Sequence, residues 1–401
     1  MKKMVRNLGI VNIASIFPIL AMAQSGVQIY GNLDQSLYNM SQNGKSVTTS
    51  ASNSNTSSYW GITGKEEVDS GLRIGFDLRS ELTLLTGQAA STTSSATGVN
   101  STAAVTQADV TNAGDKPAFF NRAAYVSVDS SSIGSFKIGR QEDLWFSLTQ
   151  TVNNTGMASL GFGTTSAIQL NATNLKQVSG IATPTSITSF AGYGNNNPMA
   201  MGIAENFVGA ISYMTPSFNG FKAGYQIGIP KVSYNTPGNA NNGYAYSLSY
   251  DKDNFTLRLG GNVKYDANGS NQWENDLIGG TYKIDRYTLI FAQNKTKFNG
   301  LAAGFPGLTS IGYGVNYVVS SALDGNLAYT TLSDDTNSAN KVAMTAVTGK
   351  YKLSPRTSVY FGIGKANNSG KTLVGPVFGG AQPDGMNMTT SVVLTGIRHT
   401  F

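Results

Sequence analysis

His399 is the only histidine among 401 residues, and there is no cysteine. These two facts remove most side-chain chemistry. Metal sites built on paired imidazoles or on thiolates are excluded, as is a thiol nucleophile. A serine nucleophile needs a base beside it, and the lone imidazole could supply one only at the extreme C-terminus. Gly-rich stretches such as 202–209 lack a phosphate-binding turn leading into a helix. No catalytic residue, cofactor or metal is therefore expected, and the protein is not expected to be an enzyme. What remains is charge. Arg73, Arg79, Arg122 and Arg140 recur along the first third of the chain, near Asp77, Glu81, Glu142 and Asp143, and Lys222, Arg258 and Lys264 follow. A guanidinium stays charged when desolvated and offers a fixed fork of donors suited to carboxylates and phosphates.

Charged residues make up only 12% of the chain, with 28 Lys and Arg against 22 Asp and Glu, while Gly reaches 46 and Tyr 19. So thin a basic content does not suit nucleic acid, which requires dense cations to meet its phosphates. The charges must be positioned by something other than helices, because the chain shows period-two alternation along most of its length. Phe255, Leu257, Leu259, Gly261, Val263 and Tyr265 share one face, and Thr256, Arg258, Gly260, Asn262 and Lys264 share the other. Successive side chains on a strand point to opposite faces. Val27, Ile29, Gly31 and Leu33 likewise oppose Gln28, Tyr30, Asn32 and Asp34, and Leu72, Ile74, Phe76 and Leu78 oppose Arg73, Gly75, Asp77 and Arg79.

Sixteen such strands are read near 25–40, 55–67, 71–84, 118–129, 134–142, 206–214, 218–228, 243–251, 254–266, 273–284, 286–297, 309–319, 324–333, 341–353, 356–366 and 390–401. Their connections alternate between tight turns, such as Thr215-Pro216-Ser217 and Ser354-Pro355, and long Ser/Thr/Asn/Gly segments, such as 85–117, 143–205 and 367–389. A soluble sandwich also alternates. Here, however, the apolar faces begin or end in aromatics such as Phe255, Tyr265 and Tyr250, which suits the girdle of a barrel in a membrane. The expected fold is all-β: a 16-stranded antiparallel transmembrane β-barrel with short periplasmic turns and long extracellular loops. Inward residues are expected to be small, polar or charged and to line water, with no folded core.

Residues 1–23 read as a signal peptide, with Lys2, Lys3 and Arg6, an apolar run over 8–20, and Ala21-Met22-Ala23 before Gln24. The run is too short for a spanning anchor, which needs about 20 residues. Residues 24–401 are then a single barrel domain with 25 bases and 22 acids.

Several stretches resemble the general diffusion porins of Gram-negative outer membranes, in particular the betaproteobacterial type. Gly26-Val27-Gln28-Ile29-Tyr30-Gly31-Asn32-Leu33-Asp34 is similar to that family's opening strand, and Trp60-Gly61-Ile62-Thr63-Gly64-Lys65-Glu66-Glu67 to its second hairpin. Asn121-Arg122-Ala123-Ala124-Tyr125-Val126, Phe136-Lys137-Ile138-Gly139-Arg140-Gln141 and Tyr213-Met214-Thr215-Pro216-Ser217-Phe218-Asn219-Gly220-Phe221 resemble later elements, and Gly396-Ile397-Arg398-His399-Thr400-Phe401 its closing strand. The resemblance implies a homotrimer, an inward-folded third loop and passive diffusion. It also implies contact with outer-membrane lipid and lipopolysaccharide, and a terminal Phe401 read by the barrel-assembly machinery.

The segment 143–205 matches the constriction loop by position, although between Asp143 and Ala204 its only charge is Lys176. Its alternative is a long loop outside the pore. Alternation points Arg73, Arg79, Lys222, Arg258 and Lys264 into the lumen, along with Asp34, Asp77, Glu81 and Asp251, but does not decide the faces of Arg122 and Arg140. Rows of Arg and Lys favour anions in pores, so the early arginines read as a basic ladder. The alternative for each is a wall charge paired with Asp77 or Glu81. The expected function is an outer-membrane channel for small hydrophilic solutes and ions, weakly anion-preferring; the alternative is an adhesive surface barrel. The leader carries its own test. Mass spectrometry of the protein from outer membranes should show an N-terminus at Gln24, and retention of residues 1–23 would contradict the cleavage site.

Overall fold

The computed structural model describes residues 26–69, 71–89, 119–157, 206–229, 243–265, 271–299, 307–370, 372 and 387–401. The leader expected over 1–23, and the 158–205 part of the expected constriction loop, lie outside the described residues.

The chain forms β1 (Gly26–Gln42), β2 (Lys45–Ser52), β3 (Tyr59–Asp69), β4 (Leu72–Thr83), the two-residue β5 (Gln88–Ala89), β6 (Ala123–Ser130) and β7 (Gly134–Glu142). A helix follows, α1 (Leu144–Thr151). Then come β8 (Asn206–Met214), β9 (Phe221–Gly228), β10 (Gly243–Lys252), β11 (Phe255–Tyr265), β12 (Asn271–Ile284) and β13 (Tyr287–Phe298). The last five are β14 (Leu308–Val318), β15 (Leu323–Asp334), β16 (Lys341–Lys352), β17 (Thr357–Ser369) and β18 (Thr389–Thr400).

Each barrel strand pairs antiparallel with its neighbours, and β18 returns to pair with β1 from Asn32↔Thr400 to Ser41↔Ser391. The sheet therefore closes. β2 and β3 share one stave, because β2 pairs with β1 over residues 35–42 and β3 pairs with it over 26–32. With β5 only a short extension on β4, the barrel has sixteen staves. The alternation resolves as expected from sequence: Val27, Ile29 and Leu37 are 70%, 64% and 58% exposed on the outside, while Asn32 and Asp34 are fully buried inside.

Local chemistry explains the tight turns. Lys252 and Phe255 face each other across Asp253-Asn254, and Ile284 and Tyr287 across Asp285-Arg286. Asp253 and Asp285 carry φ of 52° and 51°, a region Asp tolerates better than most residues. Above this rim, exposed and half-buried aromatics pair across strands: Phe136 with Tyr213 at 4.6 Å, Phe221 with Tyr250 at 4.5 Å, and Tyr287 with Tyr317 at 4.8 Å. They form an interfacial girdle at the short-turn end.

Three expectations are corrected. The 41–54 segment, read as loop, contains β2, which extends the first hairpin. The chain is not free of helix, since α1 follows β7. The lumen is also not without a core. Trp145, Phe146, Leu148 and Val152 pack with Leu277 and Ala292, and Met157 packs with Tyr38, Met40, Tyr360, Val392 and Leu394. Sixteen strands enclose a space wider than wall side chains can fill, and the segment after β7 brings apolar groups that need apolar seats inside.

The closing seam ends on Phe401, whose N–H donates to the Gly31 carbonyl while its own carbonyl accepts from the Gly31 N–H, both at 3.1 Å. Deleting Phe401 removes this pair and an exposed aromatic together. We expect loss of the heat-modifiable folded form on gels; normal yield of folded barrel would show the seam tolerates the loss.

Candidate functional site: the lumen and its inward loop

Glu142 ends β7, and the chain turns into the barrel at Asp143. The Asp143 side chain caps α1 by accepting from the Trp145 N–H at 2.8 Å. Such a cap contributes about 0.5–2 kcal/mol, too little to hold an eight-residue helix that would not persist alone in water. The remainder comes from the wall. Lys264 of β11 ion-pairs with Asp143 at 2.7 Å, with both side chains almost fully buried. The Lys264 ammonium also sits 3.1 Å from the centre of the Phe207 ring, a favourable face for a cation.

A chain of buried amides and hydroxyls completes the seat. Asn262 donates to Asp143 at 2.9 Å, Asn275 to Asn262 at 2.8 Å, and Thr296 to Asn275 at 2.6 Å. Asn294 donates to Thr296 at 3.1 Å and accepts from the Trp145 indole N–H at 3.0 Å. The circuit leaves the helix at Asp143, crosses β11, β12 and β13, and returns at Trp145. From β9, the Gln226 amide donates to the Glu142 carbonyl at 3.1 Å and accepts from the Leu144 N–H at 3.2 Å. At the helix's far end, Arg258 donates to Thr151 at 3.1 Å. Beyond it, Asn154 donates to the Tyr313 and Tyr329 carbonyls at 3.1 and 3.2 Å. This backbone lies so close to β14 that a Cβ at Gly314 would collide with Asn154.

Residues 143–157, the described part of the loop, thus lie along the wall from β9 to β16, and among the described residues space remains between them and the early strands. A cavity of about 240 Å³ lies there, lined by Leu144 and Ser147 at the start of α1, by Arg79, Arg122 and Lys137 from the early part of the chain, and by Glu142 and Lys222. A second cavity of about 380 Å³ lies at the short-turn end, with Lys65, Arg73 and Lys222 against Asp129.

The expected basic ladder is not continuous. Arg79 ion-pairs with Asp77 at 2.7 Å and donates to the Tyr30 hydroxyl at 3.0 Å; Tyr30 in turn donates to Asp77. Arg122 pairs with Glu81 at 3.2 Å. These are the paired wall charges that the sequence left as the alternative. Arg73 stands apart in the lower cavity. Arg140 is buried at 6% exposure and donates to the Asn121 carbonyl. The register of β7 against β8 shifts between Gly139 and Gln141, and that bulge turns Arg140 out of the outward set. Three other candidates are corrected. Lys264 and Asp143 are sealed beneath α1 and do not line open water. Arg258, paired with Asp251 at 2.6 Å, is mostly covered and holds the helix end.

Lys137 was missed as a candidate. It is the inward partner of Phe136 and Ile138, so parity alone could have found it. It stacks over Tyr125 at 4.8 Å. Among the described residues, neither Lys137 nor Lys222 has a carboxylate within ion-pair distance.

A closed sheet with an apolar exterior, a polar lumen and an inward loop beside an aqueous gap defines a membrane-spanning channel protein. The profile of the Gram-negative porin family matches residues 12–371, and the chain belongs to that family. It is an outer-membrane porin channel protein. No curated protein matches it by sequence. Among solved structures, the anion-selective porin from Comamonas acidovorans is similar with a TM-score of 0.62 at 18% identity, over 94% of this chain and 100% of that one. OmpT of Vibrio cholerae in its trimer form is similar at 0.52 and 12%, over 94% and 99%. A mutant of the Rh. blastica porin is similar at 0.51 and 14%, over 94% and 100%.

The lock under α1 has a direct test. Lys264→Met leaves the buried Asp143 charge without its partner, and breaking such a pair costs about 3–5 kcal/mol. We expect the heat-induced gel transition to fall in temperature and the open-channel current to grow noisier. Combining Asp143→Asn with Lys264→Met should recover part of both losses, because the amide oxygen still caps the helix although its nitrogen cannot accept from Asn262. An unchanged single variant would show that the pair does not hold the loop.

Proposed function

We propose that the protein is a passive channel for small hydrophilic solutes and ions, weakly anion-preferring, that works as a homotrimer in the outer membrane after removal of residues 1–23. The anion preference rests on one observation. The gap beside α1 is faced by Arg79, Arg122, Lys137 and Lys222, against Glu142. Two of these cations have their own carboxylates, so the excess positive charge comes from Lys137 and Lys222. Walls of low dielectric focus such a field into the aqueous path. The similar porin of Comamonas acidovorans, described as anion-selective, supports this reading, and the trimer form of OmpT supports the assembly.

In this reading 143–205 is the constriction loop, entered through α1, and solutes move down their own gradients without a catalytic step. Phe401, on an exposed outward face, is the element that the barrel-assembly machinery reads. Lipid and lipopolysaccharide contact the outward aliphatic and aromatic faces.

Reversal potentials in a KCl gradient test the electrostatics. Lys137→Glu and Arg79→Glu each change the local charge by two units, and both should move the reversal potential toward cation selectivity. The shift should shrink as salt rises, because the Debye length falls from about 10 Å at 0.1 M to about 3 Å at 1 M. Arg73→Glu, in the wider lower cavity, should move it less. Wild-type reversal potentials in all three variants at low salt would remove the proposed basis of selectivity. A wild-type protein that passes no current at all would favour the adhesive reading.

A further inference from the structure

The wall is interrupted between β2 and β3. Ser52 pairs with Gln35, and Tyr59 pairs with Asn32, so residues 53–58 occupy a gap that β1 crosses with Leu33 and Asp34 alone. The surplus chain folds inward over Asp34, on the lumen face of β1. Asn53, with φ of 69°, starts the turn, and its side chain closes the loop on itself by accepting from the Ser58 N–H at 2.7 Å.

Asp34 straps the loop to the wall. Its carboxylate accepts from the Asn55 N–H at 3.2 Å and from the Tyr360 hydroxyl at 2.8 Å. Its backbone carbonyl accepts from the Asn53 N–H at 3.1 Å, and its backbone N–H donates to Ser58 Oγ at 2.9 Å. Ser54 and Ser58 are fully covered, while Asn53, Thr56 and Ser57 remain part-exposed.

The exposed end of this tongue meets the passage. Arg122, which lines the gap beside α1, donates to Ser57 Oγ at 3.0 Å, and Asn53 donates to Glu81, the carboxylate partner of Arg122, at 3.4 Å. α1 lies against β9 to β12, whereas the tongue stands on the side of β1 to β4. We propose that residues 53–58 form a second jaw of the constriction: a rigid, uncharged tongue of hydroxyl and amide groups that narrows the lumen from the side away from α1 and fixes the position of Arg122 through Ser57. Asp34 is its positioning residue. The inference rests on the channel reading.

The chain has no cysteine, so Thr56→Cys and Ser57→Cys each introduce a single thiol. Each variant would be checked for heat-modifiable folding and placed in a planar bilayer. A water-soluble methanethiosulfonate bearing a sulfonate group would then be added. We expect a stepwise fall in single-channel current at both positions. A Ser321→Cys control on the exposed β14–β15 turn should react with no change in current. Folded Thr56→Cys and Ser57→Cys channels that are labelled, as shown by mass, yet conduct unchanged would overturn the second jaw; so would thiols that the reagent cannot reach in conducting channels. Either result in a conducting protein leaves the channel reading intact, whereas a wild type without current defeats that reading first.

Discussion

In hydrocarbon there is no water to satisfy a free N–H or C=O, so a sheet that spans the membrane cannot keep an open edge. Pairing β18 back onto β1, residue by residue from Thr400 to Ser391, meets that demand, and much else in the molecule follows from it. A closed sheet of sixteen staves is wider than its own side chains can fill. The inner face must therefore meet water or be covered by chain from elsewhere. The outer face is released from any such need, because hydrocarbon is a favourable surrounding for apolar side chains such as Val27, Ile29 and Leu37.

Among the described residues, two inserts take up part of the inner space, and polar groups anchor both. α1 has apolar seats, yet its position depends on directional contacts: the Asp143–Lys264 pair, the amide circuit through Asn262, Asn275, Thr296 and Asn294, and the Gln226 clamp. Apolar packing tolerates sliding, whereas a buried donor displaced from its acceptor incurs its full desolvation cost. The tongue at 53–58 follows the same logic around Asp34. Polar anchoring gives both inserts a defined position inside the lumen.

Charge in the passage is arranged in two tiers. Arg79 and Arg122 are held rigidly by Asp77 and Glu81, so they offer shaped donors with little net field. Among the described residues, Lys137 and Lys222 carry the surplus. A count of basic residues overstates the field, because pairing is invisible in composition.

The strands were legible because their signal is local. Period-two alternation follows from the geometry of each extended residue, and turns such as Asp253-Asn254 declare themselves through residue type. The order of the staves and the inward set, including Asp34, Asp77 and Arg79, could therefore be read directly, whereas strand limits moved by several residues, as where 118–129 became Ala123–Ser130. The inward loop, the tongue and the pairings could not. Eight residues from Leu144 carry no helical signal strong enough to stand alone, and they become helix only on a seat supplied by β11 to β13, more than a hundred positions further on. Arg140 changes face through a bulge that exists only in the register of β7 against β8. Ser52 to Tyr59 reads as the edge of a loop until β1 pairs on both sides of it. Sequence by itself determined the staves and which way their side chains point, since those depend on neighbouring residues. Tertiary structure decided what fills the lumen and which charges remain unpaired, since those depend on contacts that exist only once the sheet has closed.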